Sequence, residues 1–591
     1  MLRQQTDPSF LDSHSTVQIV LILGAVAIGA IVIATLAFKV RTRWLLAATL
    51  VAGVVQLFGP FGFTSGALLL TCTLLPVAFW RTRAIRGAAF VWGILLGALA
   101  IWQAVAVLWS EKLGSAGYAV IFSLALLTVF LLALDVVRHD PAGAPVAVAV
   151  GSPAVIVSGL LVVLFRLFPR LEGSYLLSPV AHLFSEPDVI LVSQSEIDIA
   201  LDPIRSLGIF ASVASPSGST GYLQGLFITD DLTNFQNVLD PSKAGGVFLN
   251  GNTASLFFGV ASCVAVWAVV ASLRVALPAQ TGFGRGELRA SVTVSGSGSL
   301  AGAERVRDTG SGRVDTDPVR VSAVRGSAIA RAGAFSPRAR HLLLAAHGAM
   351  AIVSVAALVA TGSKTALVLL VGLPIVALYI GWTARRPLAG AIVGVVAVLV
   401  AAAGVTAVLI KRPDLLESST LNDRVGLWRM VAASFPERWF TGFGFGNWRF
   451  HIVEEWPFYF PGVATQVWPP HNIFLQAWTD AGIMSLVLVV AVMLMPLGAA
   501  IRRIGEARRG PESVPARRGS ANHSSAPKWS PLFGSEAIAR AAIFVALAWI
   551  LLHGMADTTN YAGDNHTLPF AALLTALALT RTRRSASKGL A

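Results

Sequence analysis

Long apolar stretches dominate the chain, separated by polar breaks. The apolar runs fall at about 17–38, 44–59, 65–80, 88–109, 115–136, 146–167, 251–273, 342–361, 365–383, 388–410, 481–500, 538–556 and 567–580. Most approach the ~20 residues that a helix needs to cross a hydrocarbon core. In lipid, backbone N–H and C=O groups must be satisfied within the segment itself, which selects helices and excludes open sheets at membrane depth. The pattern predicts an all-α polytopic membrane protein, a bundle of about 13 transmembrane helices (12 to 14) with large outer loops.

Composition agrees with this and removes several alternatives. Hydrophobic residues make up 55% of the 591 and charged residues 13%, about half the charged share of a soluble domain. Cys72 and Cys263 each lie inside an apolar run and far apart, so neither a disulfide framework nor a cysteine metal site is indicated. The first 16 residues are polar and lack a small-residue cleavage pattern, so the run behind them is expected to be a retained first span.

The net charge of +14 raises the question of a nucleic-acid partner. Its distribution answers it. With alternate connections on opposite sides, one side holds 32 basic and 10 acidic residues, a net of +22; the other holds 13 basic and 21 acidic, a net of −8. That asymmetry is the positive-inside signature. The excess is topological, no nucleic acid is implied, and the C-terminus falls on the cytoplasmic side.

The expected organisation is residues 1–167 as six N-terminal helices, an outer loop at 168–250, a helix at 251–273 and a basic cytoplasmic loop at 274–341. A region at 342–500 follows, with an outer loop at 411–480, then a cytoplasmic loop at 501–537 and C-terminal helices with a basic tail at 538–591. The two cytoplasmic loops are rich in Gly, Ser, Arg and Pro and are expected to be disordered, because too few apolar residues offset the ordering entropy.

Candidate chemistry gathers on the outer side. Six of the fifteen tryptophans fall between Trp428 and Trp478. Within that stretch, "LNDRVGLWRMVAASF" has the spacing of a short helix, capped by Asn422 or Asp423 and ended by Pro436. Arg424 and Trp428 share one face, with Asp423 and Arg429 beside them as substrate-binding candidates. The same residues also suit ordinary interfacial anchoring. "GFGFG" at 442–446 follows no strand of a βαβ unit, so it reads as a tight loop and not as a dinucleotide site. The tryptophans around it suit sugar stacking or anchoring equally.

In "PPHNIFLQAW", His471 and Asn472 open a helix at Ile473. A helix N-terminus favours anions, and histidine exchanges protons near neutral pH; a plain helix cap explains the pair as well. Lys364, in "ATGSKTAL", is an ionisable group at a turn between apolar runs, and such groups are functional candidates by default. Asn250 and Asn252 flank a glycine at the start of the 251–273 helix. His553, Asp557 and Asp564, in "HGMADTTNYAGDNH", are further polar residues at the same side.

Taken in order, these residues resemble the O-antigen ligase and O-antigen polymerase superfamily of bacterial membrane glycosyltransferases. Its members carry an Asn-Pro-Asn turn, a Ser-Arg turn, an Arg-x-x-x-Trp segment followed by Pro and a Gly-x-Gly loop, and a His-Asn pair opening the next helix. Here these become Asn250-Gly251-Asn252, Ser363-Lys364, Arg424 with Trp428, Pro436 and Gly442–Gly446, and His471-Asn472. Gly251 and Lys364 depart from the family's proline and arginine, and lysine lacks the bidentate fork that suits phosphate.

The resemblance covers about residues 245–500 and implies a C-type, bundle-shaped glycosyltransferase of cell-envelope polysaccharide biosynthesis. It sits in the plasma (inner) membrane with its active site on the extracytoplasmic face. It takes a glycan from a polyprenyl diphosphate donor to a glycan, lipid or protein acceptor, inverting, without metal or other cofactor. It gives catalytic roles to His471, Arg424 and Lys364, and substrate-binding roles to Asn472, Trp428, Asn252, Asp423 and Arg429. Membrane lipids are the remaining partner. A lipid-linked glycan transporter or flippase would use the same cations to bind cargo, but would need polar residues along the middle of several helices, and the apolar runs are poor in them.

Overall fold

The computed structural model describes residues 16–59, 62–82, 85–111, 113–168, 171, 244–248, 251–276, 336–384, 386–396, 399, 420–461, 469–509, 535–557 and 559–580. Most of the expected loops 168–250, 274–341 and 501–537 lies outside these residues, as do Asn250 and 411–419.

The described chain is almost wholly helical. The N-terminal part comprises α1 (Thr16–Ala37), α2 (Thr42–Val54), a hairpin of β1 (Gln56–Gly59) and β2 (Gly62–Ser65), α3 (Gly66–Arg81), α4 (Ala88–Ala106), α5 (Leu113–His139) and α6 (Gly143–Leu167). Then come α7 (Gly251–Ala276), α8 (Pro337–Ala360), α9 (Lys364–Thr383) and the short α10 (Pro387–Val396). The last group is α11 (Thr420–Arg438), α12 (Trp448–Tyr459), α13 (Ile473–Arg509), α14 (Ser535–Gly554) and α15 (Leu568–Leu579).

Among the described residues, eight helices are long and apolar enough to cross a membrane, and five further apolar helices are shorter. The protein is thus a multi-pass membrane protein by helix length and composition. Two expected boundaries are corrected. The run 44–59 does not continue as helix: α2 ends at Val54 and the chain turns into an antiparallel hairpin with Gln56 opposite Ser65 and Gly59 opposite Gly62. Gly59, Pro60 and Gly62 disfavour helix there. The run 481–500 belongs to the much longer α13, which begins at Ile473 and is interrupted at Ala481–Gly482.

Hydrogen bonds between elements define the two ends of the bundle. At one end the Gly53 carbonyl accepts from His566, Ser65 Oγ donates to the Asn565 carbonyl, Ala244 N–H donates to the Thr361 carbonyl, and Ser255 Oγ meets His553 Nε2 at 3.3 Å. At the other end Arg81 donates to the carbonyls of Ala37, Phe38 and Val40, Ser272 meets His347, Arg274 donates to Ser535, and Arg503 donates to the Leu577 carbonyl. The core between them is aromatic and aliphatic. Trp92, Phe130, Phe257, Phe258, Trp549 and Phe570 are each at most 1% exposed, and Trp92 Nε1 donates across the bundle to the Val492 carbonyl at 2.8 Å. A buried indole N–H must find such an acceptor.

Candidate functional site

Helix α11 carries Arg424 and Trp428. It starts at Thr420, earlier than expected, which puts Asp423 in the first turn, where a carboxylate favours the helix dipole. It also runs past Pro436 to Arg438, two residues beyond the expected stop; a proline there costs only one backbone bond close to a terminus that leaves its last carbonyls free anyway. Leu427, Met430 and Val431 are buried against Ile452, Trp456 and Phe460 of α12 and its end. Arg424 and Asp423 are half-buried, and Arg429 is exposed.

The loop after α11 explains how this unit is fixed to the bundle. Gly442, Gly444 and Gly446 all have positive φ (63°, 93° and 80°). A Cβ on Gly442 would lie 2.1 Å from the Trp478 carbonyl oxygen, so the loop backbone abuts α13 where that helix breaks. The break, at Ala481 (φ −150°, ψ 21°) and Gly482 (φ 73°, ψ −168°), frees backbone groups that neighbours satisfy. Phe443 N–H donates to the Thr479 carbonyl at 2.8 Å, Ile483 N–H to Trp439 at 3.0 Å, and Trp102 Nε1 to Ala481 at 2.7 Å. Trp109 Nε1 donates to the Thr441 carbonyl, and Asn447 Nδ2 to the Trp109 carbonyl, both at 3.1 Å.

These contacts decide the role of most tryptophans here. Trp448, Trp456 and Trp478 are 5%, 1% and 1% exposed and belong to the core beneath α11 and α12. Trp439 is exposed, at 52%. His451 packs at 4.5 Å between ring centroids on Phe443 and meets Ser434 Oγ at 2.6 Å. Burial holds its pKa below the ordinary histidine value, with Glu455 and Glu454 opposing.

The chain then reaches Pro470, His471 and Asn472. Trp428 Nε1 donates to the Pro470 carbonyl at 2.9 Å, so α11 holds the turn that presents His471. His471 has φ 48°, the one positive φ outside glycine among the described residues, a conformation that costs about 1–2 kcal/mol for an L-residue and persists only where its surroundings impose it. Asn472 Oδ1 accepts from the N–H groups of Phe474 (2.9 Å) and Leu475 (3.3 Å), capping α13 as expected. That cap occupies two of the first N–H groups, so this helix end acts on an anion chiefly through its dipole. Asn472 Nδ2 reaches the Met555 carbonyl at 3.3 Å, joining the turn to the end of α14.

The stretch 553–567 completes the site. His471 Nδ1 lies 3.8 Å from Asp557 Oδ1, with both side chains a quarter exposed or less. His553, buried at the end of α14, lies within the fields of Asp557, Asp564 and Arg424. Its Nε2 contacts Ser255, whose Oγ donates to the Asn252 carbonyl at 2.8 Å. The rest of the stretch is pinned to the N-terminal helices: Tyr561 Oη meets Ser123 Oγ at 2.5 Å, Tyr118 Oη donates to Asn565 Oδ1, and His566 Nδ1–H donates to the Gly53 carbonyl at 2.7 Å. Burial pushes the His566 pKa down, with Asp564 and the Gly53 carbonyl opposing.

Arg424, Trp428, His471 and Asn472 therefore converge with His553, Asp557 and Asp564, and Asn252 joins through Ser255. Lys364 is at the same end, exposed at the first position of α9, with Ser363 as cap. Among the described residues no hydrogen bond or ion pair joins Lys364 to Arg424 or His471. Two polar residues had no place in the sequence reading: Gln476 and Asp480, one turn apart on α13, with Gln476 Nε2 donating to both Asp480 oxygens at 2.8 Å. Their i, i+4 spacing just before the break is the signal that marks them.

Electrostatically, one guanidinium, an imidazole beside a carboxylate and a helix N-terminus face one end of the bundle. Such a set can hold a diphosphate and move a proton next to it. Residues 349–490 match the family model described as O-antigen ligase, which spans Lys364, Arg424, Trp428, His471 and Asn472. No curated protein matches the chain.

Proposed function

From the match of residues 349–490 to the family model described as O-antigen ligase, we propose that the protein transfers a glycan from a polyprenyl diphosphate donor to an acceptor hydroxyl. In this reading the fold is the C-type glycosyltransferase bundle of about 13 spans, five of them supplied by the shorter apolar helices and their continuations. The site end faces the outside of the plasma membrane and the basic end, with the C-terminus, faces the cytoplasm, in keeping with the +22 and −8 charge asymmetry.

The observation that carries the reading is the pairing of His471 with Asp557 at 3.8 Å, next to His553, on which both Asp557 and Arg424 act electrostatically. Breaking the bond between the anomeric carbon and the diphosphate oxygen builds negative charge on that oxygen. Arg424 stabilises it, and the dipole of α13 adds to this. The acceptor hydroxyl attacks the opposite face of the anomeric carbon, so configuration inverts, and its proton passes to His471, whose imidazolium Asp557 then stabilises. No metal is needed for these steps. Trp428 acts here by fixing the Pro470 carbonyl and hence the His471 backbone. Lys364 takes a role at the rim, drawing the diphosphate in, and Arg429 and Asp423 flank it. Asn252 supports His553 through Ser255. The acceptor is a growing glycan, a lipid core or a protein side chain, and surface polysaccharide assembly is the favoured setting.

The test is to supply the purified protein with a polyprenyl diphosphate glycan and an acceptor and to follow polyprenyl diphosphate release. Arg424→Ala and His471→Ala are expected each to lose about 10²–10³-fold in rate; release undiminished in both variants would refute the site.

A further inference from the structure

An open, charged cavity lies at the opposite end of the bundle, away from the residues given roles in the transfer reaction. It has a volume of about 670 Å³ and sits between the turn after α1, the start of α2 and the ends of α3 and α5. Lys39, Arg41, Arg43 and Arg81 bring four positive charges to its wall, against Asp135 and Asp140.

The acids are already engaged. Asp135 accepts from Thr42 Oγ1 at 2.6 Å through one oxygen and meets His139 Nδ1 at 2.8 Å through the other. Asp140 faces Arg43 at 3.5 Å. Lys39 and Arg41 are exposed, with no acid within ion-pair distance among the described residues, and the buried Nε of Arg43 has no acceptor there either. The wall is also prebuilt: Arg81 donates to three carbonyls of the turn 37–40 and to Thr42 Oγ1 at 2.8 Å, so the backbone that carries Lys39 and Arg41 is held before anything binds. Two large aromatics complete the rim. Phe38 and Trp80 meet edge to face at 6.4 Å between centroids and are 45% and 61% exposed, at the ends of apolar helices. Aromatics in that position sit at the boundary of headgroups and acyl chains.

We propose that this cavity binds the phosphodiester headgroup of an anionic phospholipid in the leaflet opposite the glycan site. Lys39, Arg41 and the Arg43 Nε–H face the phosphate, while Phe38 and Trp80 lie against the acyl chains. Basic pockets between helices and the juxtamembrane attraction of about one Lys or Arg per fivefold in affinity supply the physics. The proposal does not depend on the transfer reaction.

The test uses the full chain in nanodiscs made of phosphatidylcholine and phosphatidylglycerol in equal amounts, followed by native mass spectrometry of the lipid retained. Wild type is expected to keep phosphatidylglycerol preferentially. The double variant Lys39→Ala/Arg41→Ala is expected to bind it about 30-fold more weakly, with unchanged melting temperature because both side chains are exposed. The control Arg338→Ala/Arg386→Ala removes two exposed cations from the same end and is expected to leave retention nearly unchanged, because neither residue lines the cavity. Equal weakening by both double variants would reduce the effect to diffuse surface charge and overturn the proposal. Equal retention of the two lipids would do the same, as would displacement of the lipid by excess inorganic phosphate, which would mark a free-phosphate site.

Discussion

The interlock between the 439–447 loop and the break in α13 makes a sharp prediction for Gly482→Ala. At φ 73° and ψ −168° Gly482 occupies a region essentially reserved for glycine, and another residue there costs about 1–3 kcal/mol in backbone strain alone. The added methyl would lie 1.7 Å from the Phe440 carbonyl oxygen and 2.4 Å from its carbon, both backbone atoms that no rotamer can move aside. The loop must therefore retreat by more than an ångström. Retreat breaks the bonds Ile483 N–H to Trp439 (3.0 Å), Phe443 N–H to Thr479 (2.8 Å) and Trp478 Nε1–H to Trp439 (3.0 Å). At about 1 kcal/mol net each, the combined cost is about 4–6 kcal/mol, close to the whole stability of an ordinary domain. Local undocking is the less costly response. Gly498→Ala on the same helix is the control, since a Cβ there meets nothing within 4 Å and alanine is the better helix former. Limited proteolysis and a thermal melt read the outcome. Gly482→Ala should be cut within 439–447, melt lower and lose transfer activity, while Gly498→Ala should match wild type. A Gly482→Ala protein with the wild-type cleavage pattern and melting temperature would refute the interlock.

Three further perturbations test separate parts of the account. Trp428→Phe keeps the ring but removes the donor to the Pro470 carbonyl; stability should fall by about 1–2 kcal/mol, and kcat should drop while the donor KM changes little, as steady-state kinetics would show. Asp557→Asn removes the charge 3.8 Å from His471; for a partly exposed pair the loss is about 1–2 kcal/mol, about a five- to thirtyfold fall in kcat, whereas Asp564→Asn, without that contact, should cost less. His566 has its pKa lowered by burial, so the unfolded chain binds its proton before the native one as pH falls; native stability should decline below about pH 6.5, and His566→Gln should flatten that part of the melting profile.

Much of this site was legible in the order of residue types. The cap at Asn472, the helix opening at Ile473 and the shared face of Arg424 and Trp428 all follow from spacing and capping rules that act within one turn. The use of the tryptophans did not follow. Sugar stacking and anchoring both suit an indole in a loop, and only the tertiary packing shows Trp448, Trp456 and Trp478 buried and Trp428 spending its N–H on Pro470. The break at Ala481–Gly482 was hidden for the same reason: a lone glycine in an apolar run is tolerated in helices, and the loop that forces the break comes forty residues earlier. The hairpin at 56–65 is not foreseen because hydropathy carries the span through "VVQLFG" to 59 and resumes at 65, and apolarity alone does not tell a strand from the end of a helix, although the glycines and proline disfavour helix. The partnership of His471 with Asp557 spans 86 positions, beyond any local rule.

The central claim is that this end of the bundle forms a glycosidic bond at the expense of a polyprenyl diphosphate glycan. Its most direct measurement is to supply an isotopically labelled donor and acceptor to the reconstituted protein and to count, by mass spectrometry, new glycosidic bonds against polyprenyl diphosphate released. One bond per diphosphate, with inverted anomeric configuration and a loss of about 10²–10³-fold in Arg424→Ala, is the predicted result. Labelled donor carried to the other leaflet intact, with no new bond at any acceptor concentration, would contradict it.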